Sequence, residues 1–287
     1  MRFSLAETMC DPEQYAALAR TAEEAGFHAY TLPDSIAYPE VSDSKYPYTP
    51  DGNRQFLEDK PFIEPFSLIP ALGMVTSKLR FHTFVVKLPI RHPVLVAKQA
   101  ASVAVMTHDR FSLGVGISPW PEDFRLCGVP WEGRGKRMDE MISIVRGLCA
   151  GGYHEHHGAH FDIERIKICP VPRKPLPILI GGHSDAALRR AAALGDGWMH
   201  AGGSDEELVK LLARLGELRR EHGTRSDFEV HVLSLSAYSL DGIKRLTDMG
   251  VTDVIVGFRK AYEPDAMPLE TKLAAIRRYA DKIISKA

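Results

Sequence analysis

Short apolar segments alternate with helical segments along most of the chain, and this alternation limits the fold more than any other feature of the sequence. The predicted strands are residues 2–6, 28–32, 80–86, 110–116, 177–180, 197–200, 228–233 and 253–256. They are nearly unbroken apolar runs, as is typical of parallel strands covered on both faces. Eight such strands alternating with helices predict a single (β/α)8 TIM barrel spanning residues 1–287. A doubly wound open sheet is the alternative that the alternation leaves open.

The predicted helices are marked by ordinary start and stop signals. Asp11 and Pro12 begin a helix that ends before Gly26, because aspartate caps a first turn and glycine terminates a last one. Further helices are predicted over residues 62–77, 94–106, 137–149, 184–194, 205–222 and 271–285. Residues 153–161 predict a small hairpin, and no Gly-, Ser- or Pro-rich linker divides the chain.

Composition excludes several classes of function. The formal net charge of −1 offers no basic face, so a nucleic acid partner is not expected. No apolar run is long enough for a signal peptide or a membrane span, which predicts a cytoplasmic protein without a membrane partner. The four cysteines, at 10, 127, 149 and 169, form no CxxC pair and are expected to be reduced thiols.

Two glycine pairs follow the fifth and sixth predicted strands, where a barrel builds its active site. Gly181-Gly182 precede a helix capped by Ser184, and Gly202-Gly203 precede one that Asp205 begins. Exposed N–H groups at helix starts favour anions, so the two turns predict a phosphate-bearing ligand. Ordinary βα turns that use glycine for backbone reasons are the alternative.

Other motifs do not carry chemistry. The histidines of YHEHHGAH (residues 153–160) lie on the predicted hairpin rather than at a strand end, so no metal site is predicted there. No GxSxG nucleophile motif is present. Gly114 and Gly116 form a GxG without the third glycine of a dinucleotide fingerprint.

Three segments, taken together, resemble the luciferase-like monooxygenase superfamily. They are KLRFHTFVVKLPIRHPVLVAKQAASV from residue 78, DRFSLGVGISPWPEDFRLCGVPWEGRGKRMDEMISIVRGL from residue 109, and PLPILIGGHSDAALRRAAALGDGWMHAGGS from residue 175. The resemblance implies a deazaflavin, coenzyme F420, or alternatively flavin mononucleotide (FMN), lying across the mouth of the barrel. It also implies a homodimer, because relatives commonly pair through barrel helices.

The resemblance assigns residues to the cofactor. The phosphate end would lie on Gly181, Gly182, His183, Ala201, Gly202 and Gly203. The ring would lie against Thr83, Phe84 and Val85, where relatives carry a bulge with a non-prolyl cis peptide, and Asp34 would contact the ring edge. Relatives usually have a small residue where this chain has Phe84. Sugar-phosphate-oxidising relatives carry a histidine at Ser35, a glutamate near Pro119 and a lysine at Ser204, so a glucose-6-phosphate dehydrogenase activity is not expected.

The substrate side is predicted from position in the barrel. Residues 37–60, with Tyr38, Tyr46 and Tyr48, are the expected lid. Catalytic candidates, as substrate wall or proton-handling groups, are Glu7, Trp120 and Glu122, with packing or solvation as the alternative for each. Lys87 and Arg91 are candidates for attracting an anionic cofactor tail.

These observations predict an oxidoreductase that transfers a hydride between F420 and a small organic substrate. An FMN-dependent monooxygenase of the same superfamily is one alternative. A barrel that binds flavin or another ligand without catalysis is the other.

Overall fold

The computed structural model describes residues 1–42, 44–46, 51–223 and 226–287. The strands are β1 (Arg2–Leu5), β2 (Ala29–Leu32), β3 (Arg80–Thr83), β4 (Val86–Lys87), β5 (Phe111–Gly116), β6 (His154–His157), β7 (Asp162–Ile166), β8 (Ile178–Gly181), β9 (Gly197–His200), β10 (Glu229–Leu233) and β11 (Asp253–Val256). Except for the β6–β7 pair, these strands all belong to one parallel sheet.

The parallel sheet closes on itself. Neighbours follow the order β3, β2, β1, β11, β10, β9, β8 and β5, and a further pairing of β3 with β5 completes the circle. The short strand β4 continues the path of β3 and also pairs with β5. Within the described residues this is a closed barrel of eight parallel strands, so the predicted TIM barrel is confirmed.

Helices surround the barrel. They are α1 (Tyr15–Glu24), α2 (Pro65–Gly73), α3 (Pro93–Met106), α4 (Pro121–Leu126), α5 (Arg134–Cys149), α6 (Asp185–Leu194), α7 (Asp205–His222), α8 (Leu240–Asp248) and α9 (Leu269–Lys282). The Ser184 hydroxyl accepts an N–H bond at the start of α6 at 3.2 Å, as predicted, and the Ser204 hydroxyl does the same for α7 at 3.1 Å. No helix in the described part of the chain is both long and apolar enough to span a membrane.

Two apolar layers stabilise the barrel. The larger one fills the space between strands and helices and includes Phe81, Phe111 and Trp198. A smaller cluster of Leu179, Met199 and Ile255 packs against Phe84, Val85, Ala6 and Leu233. Because these side chains come from alternate positions on several strands, they form a layer inside the barrel near its C-terminal end. We call this layer the apolar floor.

Four sequence predictions need correction. The third strand is interrupted after Thr83 rather than continuous to residue 86. The helix predicted over residues 62–77 is the shorter α2, because Glu64 caps its start and accepts the Ser67 N–H. The hairpin predicted over 153–161 extends to 166, since that range contains only β6 and the turn.

The fourth correction is α8, which was not predicted between the seventh and eighth barrel strands. Its first turn contains Gly242, which lowers helix propensity. A Cβ at Gly242 would lie 2.0 Å from the Ser236 carbonyl oxygen. The glycine is therefore required by packing at this helix start, and its helix-breaking signal was misleading.

Candidate active site

The interruption of the third strand lies at the mouth of the barrel, above the apolar floor. The peptide bond between Phe84 and Val85 is cis, where the resemblance placed such a bond. The Thr83 hydroxyl donates to the Gly114 carbonyl at 2.7 Å, and a Cβ at Gly114 would lie 1.9 Å from the Thr83 carbonyl oxygen. Cβ atoms at Gly116 and Gly181 would lie 2.7 and 2.9 Å from the Val85 side chain. The GxG of β5 is thus the surface on which the interrupted strand lies.

The turn after β8 leaves a backbone donor at the mouth. Gly182 has a φ of 125°, a conformation that side chains rarely adopt, and a Cβ there would lie 2.9 Å from Ala187 Cβ. Its carbonyl accepts the Trp198 indole N–H at 2.8 Å. Among hydrogen bonds within the described residues, none is donated by the Gly182 N–H. Gly182 is therefore positioned as the sequence predicted, with its amide available.

The turn after β9 differs from the prediction. The N–H of Ala201 donates to His183 Nε2 at 3.1 Å, and that of Gly202 donates to His200 Nδ1 at 3.3 Å. These two amides are bound by histidine rings and are not open anion donors. Gly203, with a φ of 135°, has no described acceptor for its N–H. The predicted donor set is thereby reduced to the amides of Gly182 and Gly203.

The two turns are joined by the stacked rings of His183 and His200. Their centroids are 4.5 Å apart and the ring planes differ by 9°. Burial, with a smaller effect from neighbouring His183, lowers the pKa of His200 to about 4, so His200 is neutral at pH 7. Within the described structure His200 Nε2 is buried without a hydrogen-bond partner. Sequence reasoning placed His200 only at a strand end and missed this contact, because stacking depends on the lateral pairing of β8 and β9.

Asp34 lies in a buried polar cluster at the end of β2. One carboxylate oxygen accepts the Lys87 backbone N–H at 3.0 Å, and the other pairs with Arg91 at 2.9 Å. The Lys87 ammonium pairs with Asp123 at 2.7 Å. Lys87 and Arg91 are thus neutralised within the chain rather than presented to an anionic tail, which argues against that candidate function. Asp34 as a ring contact stays a prediction.

Glu7 occupies the end of β1 and is bonded on both oxygens. It accepts the Phe258 N–H at 2.9 Å and pairs with Arg259 at 2.7 Å, with only 1% of its surface exposed. These contacts hold the loop after β11 against β1. Arg259 could not be predicted as the partner of Glu7, because the two residues are separated by 252 positions. A proton-handling function for Glu7 would require the release of this pair.

The described part of the predicted lid covers Trp120 and Glu122. Tyr46 stacks on Trp120 at 5.8 Å and 19°, and Arg54 lies 5.5 Å above the same indole. The hydroxyls of Ser42 and Ser44 donate to the Glu122 carboxylate. The third predicted lid tyrosine, Tyr48, lies outside the described residues.

The electrostatics of Glu122 favour anchoring over proton donation. Burial alone would raise the pKa of Glu122, but the hydrogen bonds from Ser42 and Ser44 lower it below the ordinary value for glutamate. The group is therefore an ionised acceptor that holds the lid, although sequence reasoning selected it for proton handling.

Comparison with known proteins gives the family. A sequence profile described as luciferase-like monooxygenase matches residues 4–251, so the chain belongs to the luciferase-like monooxygenase family. An uncharacterised protein of Mycobacterium tuberculosis is 59% identical over the full length of both chains. An F420-dependent glucose-6-phosphate dehydrogenase of Microbacterium testaceum is 31% identical, covering 72% of this chain and 59% of that protein.

Solved structures show the same fold at low identity. The monooxygenase RslO1 from Streptomyces bottropensis superposes with a TM-score of 0.78 at 17% identity, covering 100% of this chain and 99% of that one. The coenzyme F420-dependent tetrahydromethanopterin reductase from Methanopyrus kandleri gives a TM-score of 0.76 at 15% identity, with 99% of each chain covered. The similar proteins thus include both F420-dependent enzymes and monooxygenases.

Proposed function

We propose that the protein is an F420-dependent oxidoreductase that transfers a hydride to or from a small organic substrate. The observation that carries this proposal is the position of two available backbone donors, Gly182 and Gly203, beside the apolar floor. Val85 contacts Gly181, and Leu233 lies 3.0 Å from where a Cβ of Gly202 would stand. A ligand with an anionic tail and a flat ring matches donors at one edge and an apolar surface at the other.

The residues at the mouth fit such a cofactor. Both positions are glycine with positive φ, and an added Cβ would lie 2.9 Å from Ala187 Cβ at 182 and 2.7 Å from the Glu207 carboxylate at 203. Burial lowers the pKa of both His183 and His200, so the pair is uncharged at neutral pH, and its stacking fixes the two turns relative to each other. When bound, F420 supplies hydride transfer without oxygen activation. This chain would position the ring on Phe84 and Val85 and exclude water with the lid.

Sequence similarity favours F420 over FMN. The F420-dependent relative at 31% identity covers 72% of this chain, whereas the pyrimidine monooxygenase RutA of Acinetobacter baylyi at 29% identity covers 47% of it. The monooxygenase structures are under 20% identical and support the fold alone. We therefore propose F420 as the cofactor and treat an FMN-dependent monooxygenase as the alternative that the binding experiment must exclude. A glucose-6-phosphate substrate is not proposed, because Ser35 and Ser204 stand where sugar-phosphate-oxidising relatives carry histidine and lysine.

Equilibrium binding of purified protein to F420 and, separately, to FMN tests the assignment. We expect saturable binding of F420, seen as a change in its fluorescence, and much weaker binding of FMN. Turnover is then measured as the bleaching or recovery of F420 absorbance with a panel of small alcohols, ketones and enones. Tighter binding of FMN than of F420 would favour an FMN-dependent monooxygenase. Binding of neither cofactor would refute both the F420-dependent and the FMN-dependent assignment. Binding of F420 without turnover of any substrate would favour a ligand-binding barrel.

A further inference from the structure

A polar cluster lies inside the barrel beneath the apolar floor, away from the mouth. It contains His82 of β3, His231 of β10 and Asp253 of β11, at 1%, 0% and 0% exposure. One potential ligand atom from each lies within 4.8 Å of the others. Strands β3 and β10 are not neighbours in the barrel, so these side chains meet across its interior. The three residues form what we call the interior cluster.

Several buried polar atoms in and around the interior cluster have no hydrogen-bond partner within the described part of the chain. Both ring nitrogens of His82, Nδ1 of His231 and Oδ1 of Asp253 have no partner among the described residues. The hydroxyls of Ser4 and Ser112 are buried without partners as well. An unpaired buried polar group costs about 1–3 kcal/mol, so a native structure seldom leaves several of them together. A species inside the barrel is needed to satisfy them.

The orientation of the groups selects a cation. His231 Nε2 lies 2.7 Å from Glu229 and 3.8 Å from Asp253 Oδ2, which places the ring proton on Nε2 and leaves Nδ1, buried without a partner, with its lone pair. A carboxylate behind a histidine in this way is common for metal ligands. Arg2 binds Asp253 through Oδ2 at 2.7 Å, and Oδ1 remains. A neutral His82 ring offers a lone pair from either nitrogen, because neither has a hydrogen-bond partner among the described residues.

We propose that the interior cluster binds one divalent transition-metal ion of the zinc type through His82, His231 and Asp253. Two imidazole nitrogens and one carboxylate oxygen form a common ligand set for such ions, with a hydroxyl or water completing it. Tetrahedral bonds of about 2.1 Å put ligand atoms about 3.4 Å apart. Because the ligand atoms lie within 4.8 Å of one another, the cluster must close by up to about 1.4 Å on binding. The Arg2 side chain, which pairs with Asp253, is partly exposed, so a single side chain separates Asp253 from solvent at the N-terminal end of the barrel.

The site is structural. It connects β3 to β10 and β11 across the barrel and lies beneath the floor, out of reach of a substrate at the mouth. Binding to the folded state alone would raise stability by mass action. The proposal is independent of the cofactor assignment and of turnover.

The first test is elemental analysis of the full-length protein purified without chelators from zinc-containing medium. We expect about one zinc ion per chain. Chelator treatment should remove the ion and lower the Tm by several degrees, and added Zn²⁺ should restore it. Wild-type protein that carries no metal and gains no thermal stability from Zn²⁺ would overturn the proposal and leave ordered water as the occupant.

The second test asks whether replacing His82 lowers or raises the thermal stability of the protein. His82→Leu keeps the side-chain volume but removes two nitrogens that have no partner in the described structure. If the ion is present, the variant loses zinc and has a lower Tm than the wild type, and chelator has no further effect. If the cluster holds only water, His82→Leu is as stable as the wild type or more so, which contradicts the proposal.

His154→Leu is the matched control. His154 Nε2 is likewise buried without a partner, but it lies on β6, outside the barrel. This variant should retain zinc and its response to chelator. Equal loss of zinc in both variants would show that the metal is not held by the interior cluster. Should His82→Leu not fold, the wild-type measurements decide alone.

Discussion

The two sides of the barrel mouth are built from different parts of the chain. On the side of β8 and β9, backbone amides and glycines at fixed φ angles form the surface, and two stacked histidines hold the turns together. On the lid side, side chains from distant segments meet, as when Ser42 and Ser44 bind Glu122 and Tyr46 stacks on Trp120. The difference teaches that a common ligand group and a variable one are recognised by different means. Backbone geometry suits the phosphate of a cofactor, and side chains suit a substrate.

The largest expected effect is on the backbone side. Gly182→Ala places a Cβ 2.9 Å from Ala187 and strains a residue at φ 125°, which displaces its amide. We expect F420 affinity to fall at least about 100-fold, or about 3 kcal/mol. Gly250→Ala is the control, because Gly250 also has positive φ (84°) but no atom within 4 Å of the added Cβ, and it lies far from the mouth. Equal affinity for F420 in the two variants would show that the backbone at Gly182 does not bind the cofactor.

A pH effect of intermediate size is expected from His200. Its folded-state pKa of about 4 lies below the ordinary value of about 6.5, so between these values the unfolded chain binds a proton that the folded chain does not. Stability therefore falls as the pH is lowered through this window, by about 2 kcal/mol at pH 5. His200→Gln should remove that part of the loss, measured by urea unfolding at pH 7 and pH 5.

His222→Gln serves as the control for this measurement, since His222 is exposed at the end of α7. Its unfolding curves should keep the wild-type dependence on pH. If the His200→Gln variant also kept the wild-type dependence of stability on pH, the pKa of His200 would not be lowered in the folded protein. The histidine could then carry charge at the mouth, and an anion could be held by that charge rather than by backbone donors.

The smallest effect is expected on the lid side. Glu122→Gln keeps the shape of the side chain but removes the charge that accepts the two serine hydroxyls, so the lid contact should weaken by about 1 kcal/mol. Faster proteolysis within residues 37–60 and altered Trp120 fluorescence would report it, with F420 affinity unchanged. The lowered pKa of Glu122 means that the wild-type contact persists at neutral pH and is lost only below the ordinary glutamate range. Glu132→Gln, at an exposed position, is the control. An equal effect in this variant would show that the change does not come from the contact between Glu122 and the lid.

The sequence was most informative where local signals determine structure. The order of the eight barrel strands and the cap at Ser184 agree with prediction, and the family resemblance placed the cis peptide at Phe84–Val85. The contacts of Glu7 with Arg259 and of His183 with His200 could not be read from the chain, because they depend on which strands become neighbours when the barrel closes. For the same reason the amides of Ala201 and Gly202 were assigned to a ligand, whereas histidine rings accept them. The interior cluster was missed because His82, His231 and Asp253 are scattered over 171 positions and share no motif.

The glycines of β5 have a consequence for how this protein could acquire new specificity. At position 114 even a methyl group would overlap the Thr83 carbonyl, and at 116 it would press into Val85. These sites are closed to variation while the third strand keeps its path, so the fourth barrel strand cannot be used to deepen or reshape the binding surface. Adaptation to another substrate must come from the segment that covers Trp120, where side chains can be exchanged without moving the backbone of the interrupted third strand.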